Sequence, residues 1–111
     1  MGSTGGAEKN AGGFKLKSDV IAALEIDASG RLRIYPAKEE FVLIYRTATE
    51  IHWDKNGRFL YSPTPREWSY LDWFNHIINV IEVECYCRLT ITIDTNWTNI
   101  DEGLKKQISG E

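Results

Sequence analysis

The sequence predicts an α+β domain: an antiparallel sheet of about six strands, with one long helix packed on one face and a short C-terminal helix, in the order βββββ-α-β-α. Three observations predict it. Apolar residues alternate with a period of two in the first half of the chain, turn residues stand between the alternating segments, and a helical period of 3.6 follows. Strands grouped before helices are typical of α+β folds and not of doubly wound α/β folds.

Length and composition predict a single domain. The chain has 111 residues, of which 42% are hydrophobic and 26% are charged, and its formal net charge is −3. We assign residues 14–111 to the domain and residues 1–13, a Gly-rich stretch without apolar periodicity, to a disordered N-terminal arm or an expression remnant. No basic cluster, spanning segment or secretory signal is visible, so we expect a cytoplasmic protein without nucleic-acid or membrane partners.

The first two strands form a predicted β-hairpin. Residues 20–26 and 31–35 both alternate, and the turn residues Asp27-Ala28-Ser29-Gly30 separate them. Glycine supplies the positive φ that such turns require. Pro36 ends the second strand because proline donates no ladder hydrogen bond.

Three further strands are predicted before the first helix. The apolar run Phe41–Arg46 suits a central strand covered on one or both faces. Residues 49–53 and 58–61 flank Asp54-Lys55-Asn56-Gly57, and Asn-Gly between such runs indicates a second hairpin.

The long helix is predicted to run from about Pro65 to Val83. Thr64 can cap it, Pro65 suits the first helical position, and Glu67 completes a T-x-x-E capping box. At 100° per residue one face is apolar and should pack on the sheet. This face contains Tyr70, Leu71, Phe74, Ile77, Ile78, Ile81 and Cys85.

The C-terminal part predicts one more strand and a short helix. Residues 87–93 alternate, and Asp94–Asn96 are predicted to turn the chain. Thr98 can cap the last helix, with Asp101 three residues on. Its apolar stripe would be Ile100, Leu104 and Ile108.

The long helix carries more apolar surface than one face needs. Trp73 and Val80 project away from the centre of its core stripe, and Trp68 and Val83 lie further round. Two interpretations stay open: an aromatic flank folded over the sheet edge, or a second contact surface for a like subunit or partner. A ligand cleft roofed by Trp68 and Trp73 refines the second interpretation.

Candidate binding residues follow from this flank. They are Trp53, Trp68, Tyr70, Asp72, Trp73 and His76. Asp72 and His76 stand four residues apart, so a carboxylate could orient an imidazole, which is half of a base-catalytic arrangement. The chain offers no recognisable nucleophile motif to complete it, so no catalytic residue is assigned.

No metal site or cofactor is predicted. His52, His76, Cys85 and Cys87 are the imidazoles and thiols of the chain, and their spacing matches no zinc pattern. One residue separates the two cysteines, so a bridge between them would be strained and we expect free thiols.

Several segments resemble small uncharacterised bacterial proteins carried on integron gene cassettes. They are Ile44–Arg46, Ile51–Asp54, Ser62–Tyr70 with Trp73-Phe74, Leu89–Ile91 and Asp94–Trp97. The resemblance covers about residues 20–108. It implies a soluble cytoplasmic protein, often homo-oligomeric, encoded by a mobile accessory gene, and it supplies no catalytic residues.

We therefore interpret the chain as a homo-oligomeric binding or adaptor protein that uses an aromatic surface or cleft beside the long helix. Two alternatives stay open. An immunity or antitoxin-like inhibitor of a protein partner would suit the mild acidity and exposed aromatics. A small enzyme would use Asp72 and His76 as its acid–base pair.

Overall fold

The computed structural model describes residues 16–48 and 50–110. Within them the chain forms six strands, two α-helices and one 3₁₀ helix. In chain order these are β1 (Lys17–Ile26), β2 (Leu32–Pro36), the 3₁₀ helix (Ile44–Arg46), β3 (His52–Asp54), β4 (Phe59–Tyr61), α1 (Tyr70–Cys85), β5 (Cys87–Thr90), β6 (Asn96–Thr98) and α2 (Glu102–Ser109). The α+β prediction is confirmed. The prediction for residues 1–13 lies outside the described residues.

The sheet is mixed and mostly antiparallel, with strand order β3-β4-β2-β1-β5 and β6 also paired with β1. The pairs β1–β2, β2–β4 and β3–β4 are antiparallel. The expected antiparallel sheet of about six strands is confirmed for most of the sheet, and the departure is that β5 and β6 both run parallel to β1. Between β4 and β5 the helix α1 carries the chain back along the sheet, and such a crossover permits a parallel strand.

The predicted order βββββ-α-β-α is replaced by ββββ-α-ββ-α. Strand β1 is ten residues long. Its first part pairs with β5 through Lys17–Val20, and its later part pairs with β6 through Ala23–Glu25. One long strand therefore accommodates two short strands end to end on the same edge.

The connection between β5 and β6 corrects the prediction for residues 87–96. The strand ends at Thr90, and Ile93 is almost fully exposed. The buried Thr95 hydroxyl accepts the Thr92 N–H and donates to the Ile21 carbonyl of β1. The chain thus turns at residues 92–95, and Asn96 begins a strand.

The last helix is capped by Asp101 and not by Thr98. The Asp101 carboxylate accepts the N–H of Leu104 at 2.8 Å. Thr98 instead lies in β6, where it pairs with Glu25. Both residue types can cap, and the strand pairing of Thr98 excludes it from that role.

The first hairpin is confirmed. Strands β1 and β2 pair from Ile26↔Leu32 onward. At the turn, the Asp27 carboxylate accepts the N–H groups of Ser29 and Arg31, and Gly30 has a φ of +82°. A left-handed φ is what glycine adopts without steric cost.

The strand predicted over Phe41–Arg46 is wrong. Residues 42–43 form a turn and Ile44–Arg46 form a 3₁₀ helix. Phe41 and Ile44 are buried, whereas Val42, Leu43 and Tyr45 are exposed. A spacing of three between buried positions fits a 3₁₀ helix, and a strand would have buried alternate residues.

The second hairpin is confirmed in its pairing, although its strands are short. Strands β3 and β4 pair from His52↔Tyr61 to Asp54↔Phe59. The Asp54 carboxylate accepts the N–H groups of Asn56 and Gly57, and Arg58 takes the left-handed conformation at φ 62°. Thr49, at which the predicted strand began, lies outside the described residues.

Helix α1 begins later than predicted, at Tyr70. Its N-cap is Ser69, whose hydroxyl accepts the Asp72 N–H while the Asp72 carboxylate accepts the Ser69 N–H. Thr64, the predicted cap, instead donates its hydroxyl to the Ser29 carbonyl at 2.7 Å. Ser69-x-x-Asp72 therefore forms the capping box that Thr64 and Glu67 were expected to form.

The core lies between α1 and one face of the sheet. Its buried members from the sheet include Ile21, Leu24, Leu32, Ile34, Leu60 and Leu89, and from α1 they include Trp73, Phe74, Ile77 and Ile81. Trp73, expected outside the core stripe, is only 7% exposed. The α1 flank that bears it is therefore partly covered.

The other sheet face carries a row of rings. Since Ile34 and Leu60 face the core, alternation places Arg33, Tyr61 and their paired neighbours on the opposite face. The guanidinium carbons of Arg31 and Arg33 lie 4.8 and 4.3 Å from the ring centroids of Tyr61 and Phe59. Asp27 binds both arginines.

Candidate functional site

An open groove runs along the flank of α1, opposite Thr47, Ala48, Glu50 and His52. We call it the Trp groove. Its volume is about 1250 Å³. It is lined by Thr47, Ala48, Glu50, His52, Pro63, Thr64, Arg66, Glu67, Trp68, Trp73, His76 and Val80. Small-molecule sites commonly enclose about 300–1000 Å³, so the groove has room for a drug-sized ligand.

Three aromatic rings form a cluster in the groove. The Trp68 and Trp73 ring centroids are 4.9 Å apart. His76 lies edge-on to both indoles, at 5.1 Å from Trp68 and 5.8 Å from Trp73. Trp73 is buried, whereas Trp68 is 44% exposed. The cluster thus has a fixed base in the core and an accessible indole at its rim.

Local sequence explains how the cluster is positioned. Trp73, His76 and Val80 are spaced by three and four residues, so they share one flank of α1. Trp68 lies just before the Ser69 cap, where the capping box fixes the entry of the chain into the helix. Val83 continues the same flank one turn beyond Val80 and is 56% exposed.

Charged side chains surround the cluster. Glu50, Arg66 and Glu67 are exposed and line the groove. Within the described part of the chain none of the three forms an ion pair. The lining has two carboxylates and one guanidinium, so its acidic and basic side chains, leaving the histidines aside, carry a net negative charge.

The second imidazole of the groove belongs to the edge strand β3. His52 is exposed and stacks on Tyr61, with ring centroids 5.2 Å apart and an interplanar angle of 27°. Because His52 also lines the groove, the aromatic face of the sheet continues to its rim.

The structure brings together three of the six candidate residues. Trp68, Trp73 and His76 line the groove, whereas Trp53, Tyr70 and Asp72 do not. Tyr70 donates its hydroxyl to the Gly30 carbonyl and so ties α1 to the first hairpin. The Asp72 carboxylate accepts the Ser69 N–H at the helix cap.

Trp53 packs inward, away from the groove. Its indole meets Phe41 edge-on at 5.8 Å, and its Nε1 is buried without a hydrogen-bond partner within the described residues. Its neighbour His52 faces the other side of the strand, as successive strand residues do.

Sequence reasoning missed the wall formed by Thr47, Ala48 and Glu50. We predicted the preceding segment, Phe41–Arg46, to be a strand of the sheet. That prediction gave no reason to expect the next residues beside α1. The sequence contains no signal for the wall, because residues 41–45 are all apolar and only the structure shows that Phe41 and Ile44 are the buried ones.

Asp72 and His76 were the candidate acid–base pair of the sequence. Asp72 and His76 form no hydrogen bond or ion pair with each other among the described residues. In the same part of the chain, no group of three or more His, Cys, Asp or Glu side chains could hold a metal ion.

The thiols lie at the far end of α1. Cys85 and Cys87 are free, and Cys85 borders a smaller pocket of about 470 Å³ beside Val42 and Leu43. Burial raises the pKa of both thiols, and nearby acidic groups raise it further. Because the thiolate is the nucleophile, both thiols are weakly reactive near neutral pH.

The sequence is similar to integron cassette proteins. The family model described as Integron Cassette Protein Hfx_Cass5 matches residues 19–95. A solved structure, the integron cassette protein Hfx_Cass5 from the mobile metagenome of the North West Arm sewage outfall, is 36% identical. The match covers 85% of this chain and 94% of that chain, with a TM-score of 0.44.

No curated protein matches the chain. Among residues 16–48 and 50–110, no helix has the length and apolar character needed to cross a membrane.

Proposed function

Since the chain belongs to the family of Integron Cassette Protein Hfx_Cass5, whose name states no activity, we propose a function from the geometry of this molecule: it is a binding protein, and the Trp groove receives its ligand or partner. The single observation that carries the proposal is the half-exposed Trp68, held at the rim of the groove against the buried Trp73.

The exposed indole offers binding energy at low entropic cost. An indole has a large apolar area and one N–H donor, and a ligand that covers it gains about 25 cal/mol for each Å² of apolar surface removed from water. Trp68 loses little conformational freedom on binding, because Trp73 and His76 already contact its ring. Preorganised aromatic side chains of this kind dominate many binding surfaces.

The walls supply groups that could orient a ligand. Hydroxyl, carboxylate and imidazole groups of Thr47, Glu50, Glu67 and His52 line the groove around the indoles. Apolar contact area with a few convergent polar groups is typical of ligand sites.

Fluorine NMR of protein labelled with 5-fluorotryptophan tests the proposal. The four tryptophans give one signal each, and Trp68→Phe assigns the signal of interest. We expect members of a fragment library containing neutral, anionic and cationic compounds to shift the Trp68 signal and leave the Trp97 signal in place. Trp97 is the internal control, because it lies outside the groove and contacts Lys105.

In Trp68→Ala, binding is followed through the signal of the neighbouring Trp73. Loss of its fragment-induced shift supports the proposal when the Trp53 and Trp97 signals keep their positions, since the fold is then intact. A library in which every fragment moves all four signals equally, or moves none of them, contradicts it.

The homo-oligomeric state and the cytoplasmic location stay predictions, and we propose both with the binding function. Sedimentation at increasing concentration measures the first. If the Trp68 signal shifts with protein concentration alone, a second copy of the chain occupies the groove. The inhibitor alternative needs a protein partner encoded nearby, and the enzyme alternative would now rest on His76 without Asp72.

A further inference from the structure

We propose that the Trp groove selects a small organic cation, with an alkylammonium group lying against the face of Trp68 between the carboxylates of Glu50 and Glu67. This inference rests on the proposed binding function and adds the chemical class of the ligand. Its occupant is a small molecule, in keeping with the groove volume of about 1250 Å³.

The rings of the groove favour a cation. An aromatic face carries negative electrostatic potential, and indole attracts cations more strongly than the other aromatic side chains do. His76 meets both indoles edge-on, at ring-plane angles of 80° and 74°. The solvent side of Trp68, which is 44% exposed, is left for a cation.

The charges of the groove favour the same class of ligand. Glu50 and Glu67 line the groove without an ion-pair partner among the described residues, and Arg66 is the one guanidinium of the lining. If Arg66 neutralises the charge of one carboxylate, the other carboxylate can still pair with a cationic ligand. An anionic ligand would meet both carboxylates and the ring faces, and each of these disfavours it.

The N-terminus of α1 does not reverse this preference for a cation over an anion. The N-terminus of α1 begins beside Trp68, and a helix N-terminus attracts anions. Here the Asp72 carboxylate already occupies the first turn and accepts the Ser69 N–H. The N–H of Asp72 is in turn bound by the Ser69 hydroxyl, so two of the terminal donors are already satisfied.

The test compares choline with 3,3-dimethylbutan-1-ol, its uncharged analogue of the same shape, by fluorine NMR at constant ionic strength. We expect choline to shift the Trp68 signal with a dissociation constant roughly 3- to 30-fold lower than that of the neutral alcohol, the range typical of cation–π pairs. Glu50→Gln/Glu67→Gln should reduce this ratio toward one. Glu102→Gln, an exposed change on α2, is the matched control and should leave it unchanged.

The outcomes separate the two proposals. If the alcohol binds as tightly as choline, and Trp68→Ala abolishes the shift that each of them causes in the neighbouring Trp73 signal, the groove binds but cation selection is wrong. If choline fails to shift Trp68 while neutral or anionic fragments of the library succeed, cation selection is again wrong and the binding function stands. If neither these probes nor any library fragment shifts Trp68, both proposals fail.

Discussion

The Trp68 and Trp73 indoles lie 4.9 Å apart, tilted by 51°, yet Trp68 is 44% exposed and Trp73 only 7%. The two rings form one cluster but have different surroundings. Trp73 belongs to the core between α1 and the sheet, whereas Trp68 precedes the helix and faces the groove. Trp73 is therefore mainly a structural residue, and Trp68 is the residue that we propose to contact a ligand.

This difference predicts unequal losses of stability when each ring is truncated. Trp73→Ala should lower the free energy of unfolding by about 3–5 kcal/mol, because it leaves a cavity in the core. Trp68→Ala should lower it by less, about 1–2 kcal/mol, because its ring is 44% exposed and its removal leaves no enclosed cavity in the core. Urea unfolding monitored by circular dichroism measures both, and equal losses would contradict the assignment of the two rings.

Features fixed by neighbouring residues could be predicted from the sequence. The first hairpin depends on Asp27 and Gly30, which satisfy the turn within four residues. The flank of α1 follows from helical spacing alone, which puts Trp73, His76 and Val80 on one side of the helix. The α1 wall of the groove could be predicted for the same reason.

Features that depend on distant contacts could not be predicted. The run Phe41–Arg46 has strand-forming composition, and only the burial of Phe41 and Ile44 against the core selects the 3₁₀ helix. The parallel pairing of β1 with β5 and β6 is likewise decided by how α1 crosses the sheet. The second wall of the groove, formed by Thr47, Ala48 and Glu50, follows directly after the 3₁₀ helix and depends on the same burial.

The capping box provides a second prediction, which separates the observed helix start from the one expected from sequence. Ser69→Ala should cost about 1 kcal/mol of stability, because the Asp72 N–H loses its acceptor. Glu67→Ala, which removes the acid of the expected box, should change stability by less than about 0.5 kcal/mol, as is usual for an exposed residue. Thermal unfolding of both variants measures the difference, and the reverse order would place the helix start at Thr64.

The thiols give a third prediction. Because burial and nearby acidic groups raise the pKa of both Cys85 and Cys87, a disulfide reagent should react slowly with the folded protein at pH 7 and faster as the pH rises toward and above the usual thiol range. Cys85 is partly exposed and Cys87 is fully buried. Cys85→Ser should therefore remove the reaction of the native protein, and the Cys87 thiol should react only after unfolding. Rapid modification of native Cys85→Ser at neutral pH would contradict this.

The last prediction concerns Asp19, a buried carboxylate of β1. It accepts the N–H groups of Val20, Lys38 and Glu39 at 2.9 Å each. Burial alone would raise its pKa, but these hydrogen bonds and the nearby Lys38 charge outweigh burial and lower it. Asp19→Asn should cost about 1–3 kcal/mol at neutral pH, since charge-assisted hydrogen bonds are lost in a buried site.

The same lowered pKa fixes the sign of the pH dependence. A carboxyl whose pKa is lower in the folded than in the unfolded chain contributes stability that is fully present above the unfolded value, near 3.9. This contribution is lost as the pH falls through the folded pKa. Buried Asp27 acts in the same direction. Its pKa is also lowered, because hydrogen bonds from Arg31, Arg33 and Ser29 outweigh burial.

Urea unfolding between neutral pH and the acid range should therefore show a steeper loss of stability in the wild-type chain than in Asp19→Asn. Exposed Asp94→Asn should follow the wild-type curve, and an Asp19→Asn curve parallel to wild type would show that this carboxyl has no lowered pKa.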